Sequence, residues 1–164
     1  EMESMIAATL AFARDDAANE PRVRLDIASM LQGMAEDLDD LGARCGYDGP
    51  PSLVIEARPA ALKRALSNLI DNAIKYGGAA EVALAQTAGE TRITIDDRGP
   101  GIPAEARERV FAPFVRLETS RSRDTGGTGL GLAVARAAIR AHGGDITLGD
   151  RPDGGLRVTV TLPG

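Results

Sequence analysis

Asn68, Asn72 and Lys75 recur along one line of the stretch "ALKRALSNLIDNAIKYGG" (61–78). At about 100° per residue, a helix places them within roughly 60° of one another. Leu62, Leu66, Leu69, Ile70 and Ala73 form an apolar sector beside them. Two carboxamides and an ammonium next to a core-seeking face suit anionic oxygen and a hydrated divalent cation. Mg2+ prefers oxygen ligands and keeps several waters, so one Asn carbonyl with ligand phosphates is enough to hold it. Lys75 adds a point charge for phosphate; it and Lys63 are the only lysines among 19 Lys and Arg. Taken alone, the row reads equally as a solvated helix face.

Two glycine-rich stretches follow. "DDRGPGIP" (96–103) carries Asp97, Gly99 and Gly101 in the pattern D-x-G-x-G after a strand-like run. Glycines at that spacing permit tight turns and close approach of a flat ligand. A buried carboxylate there could accept from an exocyclic amine such as that of adenine, a charge-assisted bond of about 1.5–3 kcal/mol. The bland alternative is a Pro-Gly turn with a solvated Asp. "GGTGLGL" (126–132) sets Gly127, Gly129 and Gly131 at alternate positions just ahead of a helical pattern. Free N–H groups at a helix start form an anion site. The stretch is not the lysine-bearing phosphate loop, because no G-x-x-x-x-G-K-[ST] occurs. It does not fit a dinucleotide fingerprint either, since the spacing differs and no strand leads directly into it. Alone, it could be a hinge.

The elements that must position these residues are legible in outline. The chain has 164 residues and suits one domain with a short appendage. A formal charge of −5 leaves no basic excess for a nucleic-acid backbone. Cys45 is the single cysteine, so no internal disulfide forms and a reducing cytoplasm is the simplest setting. No apolar run approaches the roughly 20 residues of a membrane span. Met2, Ile6, Leu10 and Ala13 make a helical stripe that starts at Glu1, which predicts a helical stub (1–18) belonging to a longer parent, followed by a domain over 19–164. The polar run 14–22 reads as a linker. An edge strand is expected over 23–27, a helix over 28–46, a strand over 52–58, and a helix from Pro59 to about Tyr76 with Gly77 as its end cap. Two hairpins follow, "AEVALAQ"/"TRITIDD" and "GDITLGD"/"LRVTVTL", each alternating apolar and polar residues. One buried sheet face predicts a two-layer α/β sandwich on a mixed, largely antiparallel sheet, with helices on one face.

An Asn-bearing helix ("NLIDNAIKY"), then "DDRGPGIP", then "FAPFVR" (111–116), then "GGTGLGLAVAR" resembles the N, G1, F and G2 boxes of sensor histidine kinases. These belong to the GHKL ATP-binding superfamily with the Bergerat fold, and the likeness leans to the osmosensor-type branch. It covers about residues 22–163, and all four boxes appear in order. The resemblance implies that Asn72 holds Mg2+, with Asn68 near the phosphates and Lys75 contacting them. It puts Tyr76 on the adenine, Asp97 on the adenine amine, and Gly99, Gly101 and Ile102 around the base. Phe111 and Phe114 would anchor a lid, Arg116 would reach the terminal phosphate, and Gly127, Thr128, Gly129, Leu130 and Gly131 would wrap the triphosphate. Residues 103–127 have little apolar content after Leu117 and are expected to form a lid that moves without nucleotide.

The function so implied is Mg–ATP binding and donation of the γ-phosphoryl group to a histidine on a dimerisation hairpin, for relay to a response regulator. The parent would be a homodimer anchored to the bacterial inner membrane, with this domain cytoplasmic. The family's acceptor sits in an H-[ED]-x-[RK]-x-P setting. His142, the only histidine, is followed by "GGDI" and is expected instead as a surface residue near a helix C-terminus. Related ATPases place a glutamate one turn before the Mg-binding Asn. Here Asn68 stands there, and a carboxamide cannot take a proton from water, so slow hydrolysis is expected. Two other readings share these boxes: an anti-sigma-type serine kinase, and a non-catalytic module that binds nucleotide only to change shape.

Overall fold

A computed structural model describes residues 19–99, 131–151 and 154–163. The expected stub over 1–18 and the lid over 103–127 lie outside the described residues. Seven strands and three helices are described: β1 (Val23–Asp26), α1 (Ile27–Asp40), β2 (Arg44–Asp48), β3 (Val54–Ala57), α2 (Pro59–Gly77), β4 (Ala79–Thr87), β5 (Glu90–Asp96), α3 (Gly131–Ala141), β6 (Asp145–Asp150) and β7 (Leu156–Pro163).

The main sheet runs β2-β4-β5-β7-β6, and β1 pairs with β3 in a separate antiparallel ribbon. Only the β2–β4 pair is parallel; the other neighbours are antiparallel. Register aligns the apolar positions into rows, Val82–Ile95–Val158–Leu148 and Leu84–Ile93–Val160–Ile146. Seven of these eight residues are buried, Leu148 partly, while Glu81, Arg92, Thr94 and Asp96 face the other way. The period-2 alternation therefore yields one core face, onto which α1 packs against β2 and β3, α2 against β4 and β5, and α3 against α2 and β6. The expected two-layer sandwich is the observed one.

Both ends of α1 differ from expectation. Helix α1 stops at Asp40 rather than running to 46, and "RCGYD" forms β2. Gly42 takes a left-handed φ of 88°, the Ala43 N–H reaches the Leu38 carbonyl and the Gly42 N–H that of Asp39, a closing motif that ends the helix. At its other end Ile27 is already helical: Asp26 caps α1, its Oδ1 accepting from the Ser29 and Leu53 N–H groups.

The start of α2 has an unusual cap. Arg58 occupies the N-cap and offers no side-chain acceptor. Pro59 lacks an N–H, and the Leu62 N–H bonds the Arg58 carbonyl. The remaining two donors, the Ala60 and Ala61 N–H groups, both reach the Glu20 carboxylate at 2.9 Å. Glu20 thus caps a helix 40 residues away in sequence. Glu20→Ala is expected to lower stability by about 1 kcal/mol. Urea unfolding should show it as a shifted midpoint at unchanged slope.

Candidate functional site

Helix α2 buries the apolar sector read from the sequence: Leu62, Leu66, Leu69, Ile70 and Ala73 are all at most 4% exposed. The polar line beside it sits where that sector meets solvent. Asn68 and Asn72 are half-buried and Lys75 is exposed. The helix ends one residue later than expected. Gly78, with φ 78°, is the left-handed residue, and its N–H bonds the Ile74 carbonyl. Gly77 remains helical and lies directly against Asp97.

Asp97 follows the last residue of β5 and is 7% exposed. Its N–H donates to the Leu156 carbonyl at 3.0 Å, extending the β5–β7 ladder by one bond. Its Oδ1 accepts the Gly99 N–H at 2.8 Å, which tightens the turn between them. Burial pushes the Asp97 carboxyl above its ordinary value; the Gly99 hydrogen bond and the Arg151 charge oppose this. Asp97 is thus a desolvated carboxylate with one oxygen committed to the backbone. Asn72 stands five residues before Gly77, about 7.5 Å along the helix axis, while Asn68 lies one turn further back, at the middle of α2.

A cavity of about 280 Å³ opens beside Asp97 on the open face of the sheet, lined by Gly77, Gly78, Asp96, Arg98, Arg151 and their neighbours. Asn68 and Asn72 are not among its walls. On that face Arg157 donates twice to Asp96, at 2.9 and 2.8 Å, across directly paired strands. Gly131 begins α3, in keeping with glycines that lead into a helix. Gly101, Ile102, Phe111, Phe114, Arg116, Gly127, Thr128, Gly129 and Leu130, and the Tyr76 side chain, lie outside what the structure describes.

His142 corrects an expectation. It is not a surface residue but is 3% exposed. It follows the last residue of α3, where the Gly144 N–H bonds the Ile139 carbonyl and Gly143 takes φ 83°. Its Nε2 accepts the Arg58 backbone N–H at 3.0 Å, so its Nδ1 carries the proton and donates to the Ala138 carbonyl at 2.8 Å. Arg58 also donates from its guanidinium to the Glu20 and Ala141 carbonyls. The histidine ties the end of α3 to the start of α2, with both ring nitrogens engaged.

Residues 57–164 match the family model described as "Histidine kinase-, DNA gyrase B-, and HSP90-like ATPase". The chain belongs to this ATPase family. Within that family its similar relatives are sensor histidine kinases. It is 38% identical over 138 residues to sensor histidine kinase CpxA of Escherichia coli, covering 83% of this chain and 30% of that protein. It is 36% identical over 163 residues to sensor histidine kinase GtrS of Pseudomonas aeruginosa, covering 99% of this chain and 33% of that protein. The chain thus spans about a third of the length of these curated relatives. Among solved structures, the ATP binding domain of PrrB from Mycobacterium tuberculosis superposes with a TM-score of 0.72 at 31% identity, covering 87% of this chain and 97% of that one. Among the described residues, no helix is long and apolar enough to cross a membrane.

Sequence reasoning missed two participants at Asp97. Gly77, which the sequence pattern marks only as a helix cap, and Gly155, in the β6–β7 turn, both lie against Asp97. The available signal was the doubled glycine at 77–78, where the helix end requires only Gly78 to be left-handed; at 154–155 both glycines are left-handed, with φ 96° and 97°.

Proposed function

We propose that this chain is the ATP-binding catalytic domain of a two-component sensor histidine kinase, preceded over 1–18 by the end of a dimerisation-hairpin helix. It binds Mg–ATP and donates the γ-phosphoryl group to a histidine outside this chain, for relay to a response regulator. The observation that carries the reading is the buried Asp97 carboxylate at the end of the Asn-bearing helix α2. One of its oxygens is held by Gly99. A desolvated acceptor of this kind suits the adenine amine.

In this reading Asn68, Asn72, Lys75 and Arg116 are the catalytic set. Tyr76, Asp97, Gly99, Gly101, Ile102 and Phe114 hold the base and its lid. Thr128, Leu130 and the glycines at 127, 129 and 131 wrap the phosphates. The donor chemistry fits Mg2+: Asn72 is half-buried and offers one neutral carbonyl oxygen, enough for an ion that arrives with phosphates and waters. Bound there, Mg2+ would neutralise charge on the transferring group; the chain's own residues position it. Asn68 cannot act as general base toward water, which favours holding ATP for an outside nucleophile.

His142 is unsuited as acceptor, because it is buried and both ring nitrogens are bonded. The kinship to CpxA and GtrS favours histidine over serine as the target. The parent is a homodimer anchored in the inner membrane, with this domain on the cytoplasmic side.

The test mixes this chain, Mg2+ and γ-labelled ATP with a separate hairpin polypeptide bearing the family's acceptor histidine. Acid-labile label on the hairpin, with little free phosphate, is the expected result. Rapid hydrolysis with no label on the hairpin would overturn the assignment, and label retained on His142 would relocate the acceptor.

A further inference from the structure

Two pairs of adjacent glycines flank Asp97, and within each pair the two members have different surroundings. Gly78 and Gly154 have φ of 78° and 96°, which explains the absence of a side chain, and a Cβ on either would meet nothing within 4 Å. Gly77 has no such backbone reason. It is helical, and glycine in a helix costs about 0.5–1 kcal/mol relative to alanine. A Cβ on Gly77 would stand 2.5 Å from Asp97 Cβ and 2.9 Å from its Cγ and Oδ1. Gly155 has φ 97°, and a Cβ there would overlap the Asp97 carbonyl oxygen and lie 2.9 Å from the Arg98 Cα. The next residue, Leu156, accepts the Asp97 N–H. Asp97 is therefore wedged between two bare α-carbons, one against its side chain and one against its peptide.

We propose that Gly77 and Gly155 are positioning residues for Asp97: the close approach they allow sets where its carboxylate stands, and with that the preference for an adenine over a guanine base. The proposal rests on Asp97 as acceptor of the adenine amine. It adds the turn between β6 and β7 to the machinery of base recognition. Alanine at 77 must push Asp97 away from α2, and because the nearest atom is its Cβ the backbone of Asp97 moves with the carboxylate. Alanine at 155 must push the whole Asp97–Arg98 peptide.

The experiment measures Mg–ATP and Mg–GTP affinity by calorimetry, together with thermal midpoint, for Gly77→Ala, Gly155→Ala, Gly154→Ala and Asp97→Asn. Gly77→Ala is expected to bind ATP about tenfold more weakly, with a smaller ATP-to-GTP ratio, as a displaced charge-assisted bond requires. Its thermal midpoint should fall, because the Asp97 Cβ that the new methyl meets at 2.5 Å is fixed to the backbone and can yield only with it. A merely structural glycine would weaken ATP and GTP alike, and an unchanged ATP-to-GTP ratio would overturn the proposal. Gly155→Ala should lose binding as well as stability. Gly154→Ala carries the same turn strain without the contact, so it should lose stability while keeping its affinity within about twofold. Gly77→Ala binding ATP like the parent, with Asp97→Asn impaired, would sink the positioning role and leave the reading of Asp97 standing. Normal binding by Asp97→Asn would remove that reading, and this inference with it.

Discussion

Asp97→Asn is expected to weaken ATP binding by about tenfold to a hundredfold, the worth of one charge-assisted hydrogen bond in a dry site. The nucleotide-free domain should lose no stability. The two effects part because the carboxylate is costly in the resting fold. Burial holds its pKa above the ordinary 3.8. A raised carboxyl pKa means that the folded state prefers the proton. This group's relative contribution is then most favourable below pH 3.8 and declines as pH rises through the folded value. Above the folded value the charged form of Asp97 therefore opposes folding. Asparagine removes that charge and still offers Oδ1 to the Gly99 N–H, 2.8 Å away in the parent. What it loses is an acceptor that cannot turn into a donor. An amide can present its NH2 to the guanine carbonyl, so the ATP-over-GTP preference should narrow as affinity falls. Calorimetry with both nucleotides and a thermal scan without nucleotide check the three statements. Unchanged ATP affinity would remove Asp97 from base recognition.

The same desolvation bears on how this site could be read from sequence. D-x-G-x-G gave Asp97 a role, but its burial depends on three segments meeting: the end of α2, the end of β5 and the turn before β7. Periodicity located those segments well. The apolar sector of α2 and the alternation of β4 to β7 are local patterns, and each became a buried face. Strand β2 was not legible. Leu38, Leu41 and Cys45 continue a helical spacing past the point where Gly42 turns left-handed, and only pairing with β4 draws Cys45 inward, opposite Ala80. A short edge strand carries too few residues for alternation to outweigh the preceding helix pattern. His142 failed for a related reason. Its position after a helix end suggested exposure, yet its partner is a backbone N–H 84 residues away. The hint lay at the other end of that bond. An arginine before a proline cannot cap the helix it introduces, so the start of α2 had to borrow acceptors from elsewhere.

His142 should make the fold sensitive to mild acid. Burial lowers its pKa from the ordinary 6.5; the bond to Ala138 and the Glu20 charge pull the other way, and Arg58 and Arg22 add to the lowering. The geometry agrees with that direction, because a proton on Nε2 would face the Arg58 N–H, and one of the two would have to withdraw. A histidine with a depressed folded pKa contributes stability that is complete above pH 6.5 and is lost as pH falls toward the folded value. In that window the unfolding free energy should drop by about 1.4 kcal/mol per pH unit, the slope for one proton. His142→Ala should abolish this component. It should also lower stability at pH 7.5 by about 2–4 kcal/mol, because a buried N–H is orphaned and the imidazole volume is left unfilled. The assignment is direct, since the chain has one histidine and so one imidazole to follow by NMR. A titration midpoint at or above 6.5 in the folded protein would show that the ring is reached by water, and the tie between α3 and α2 would then not be the buried contact described.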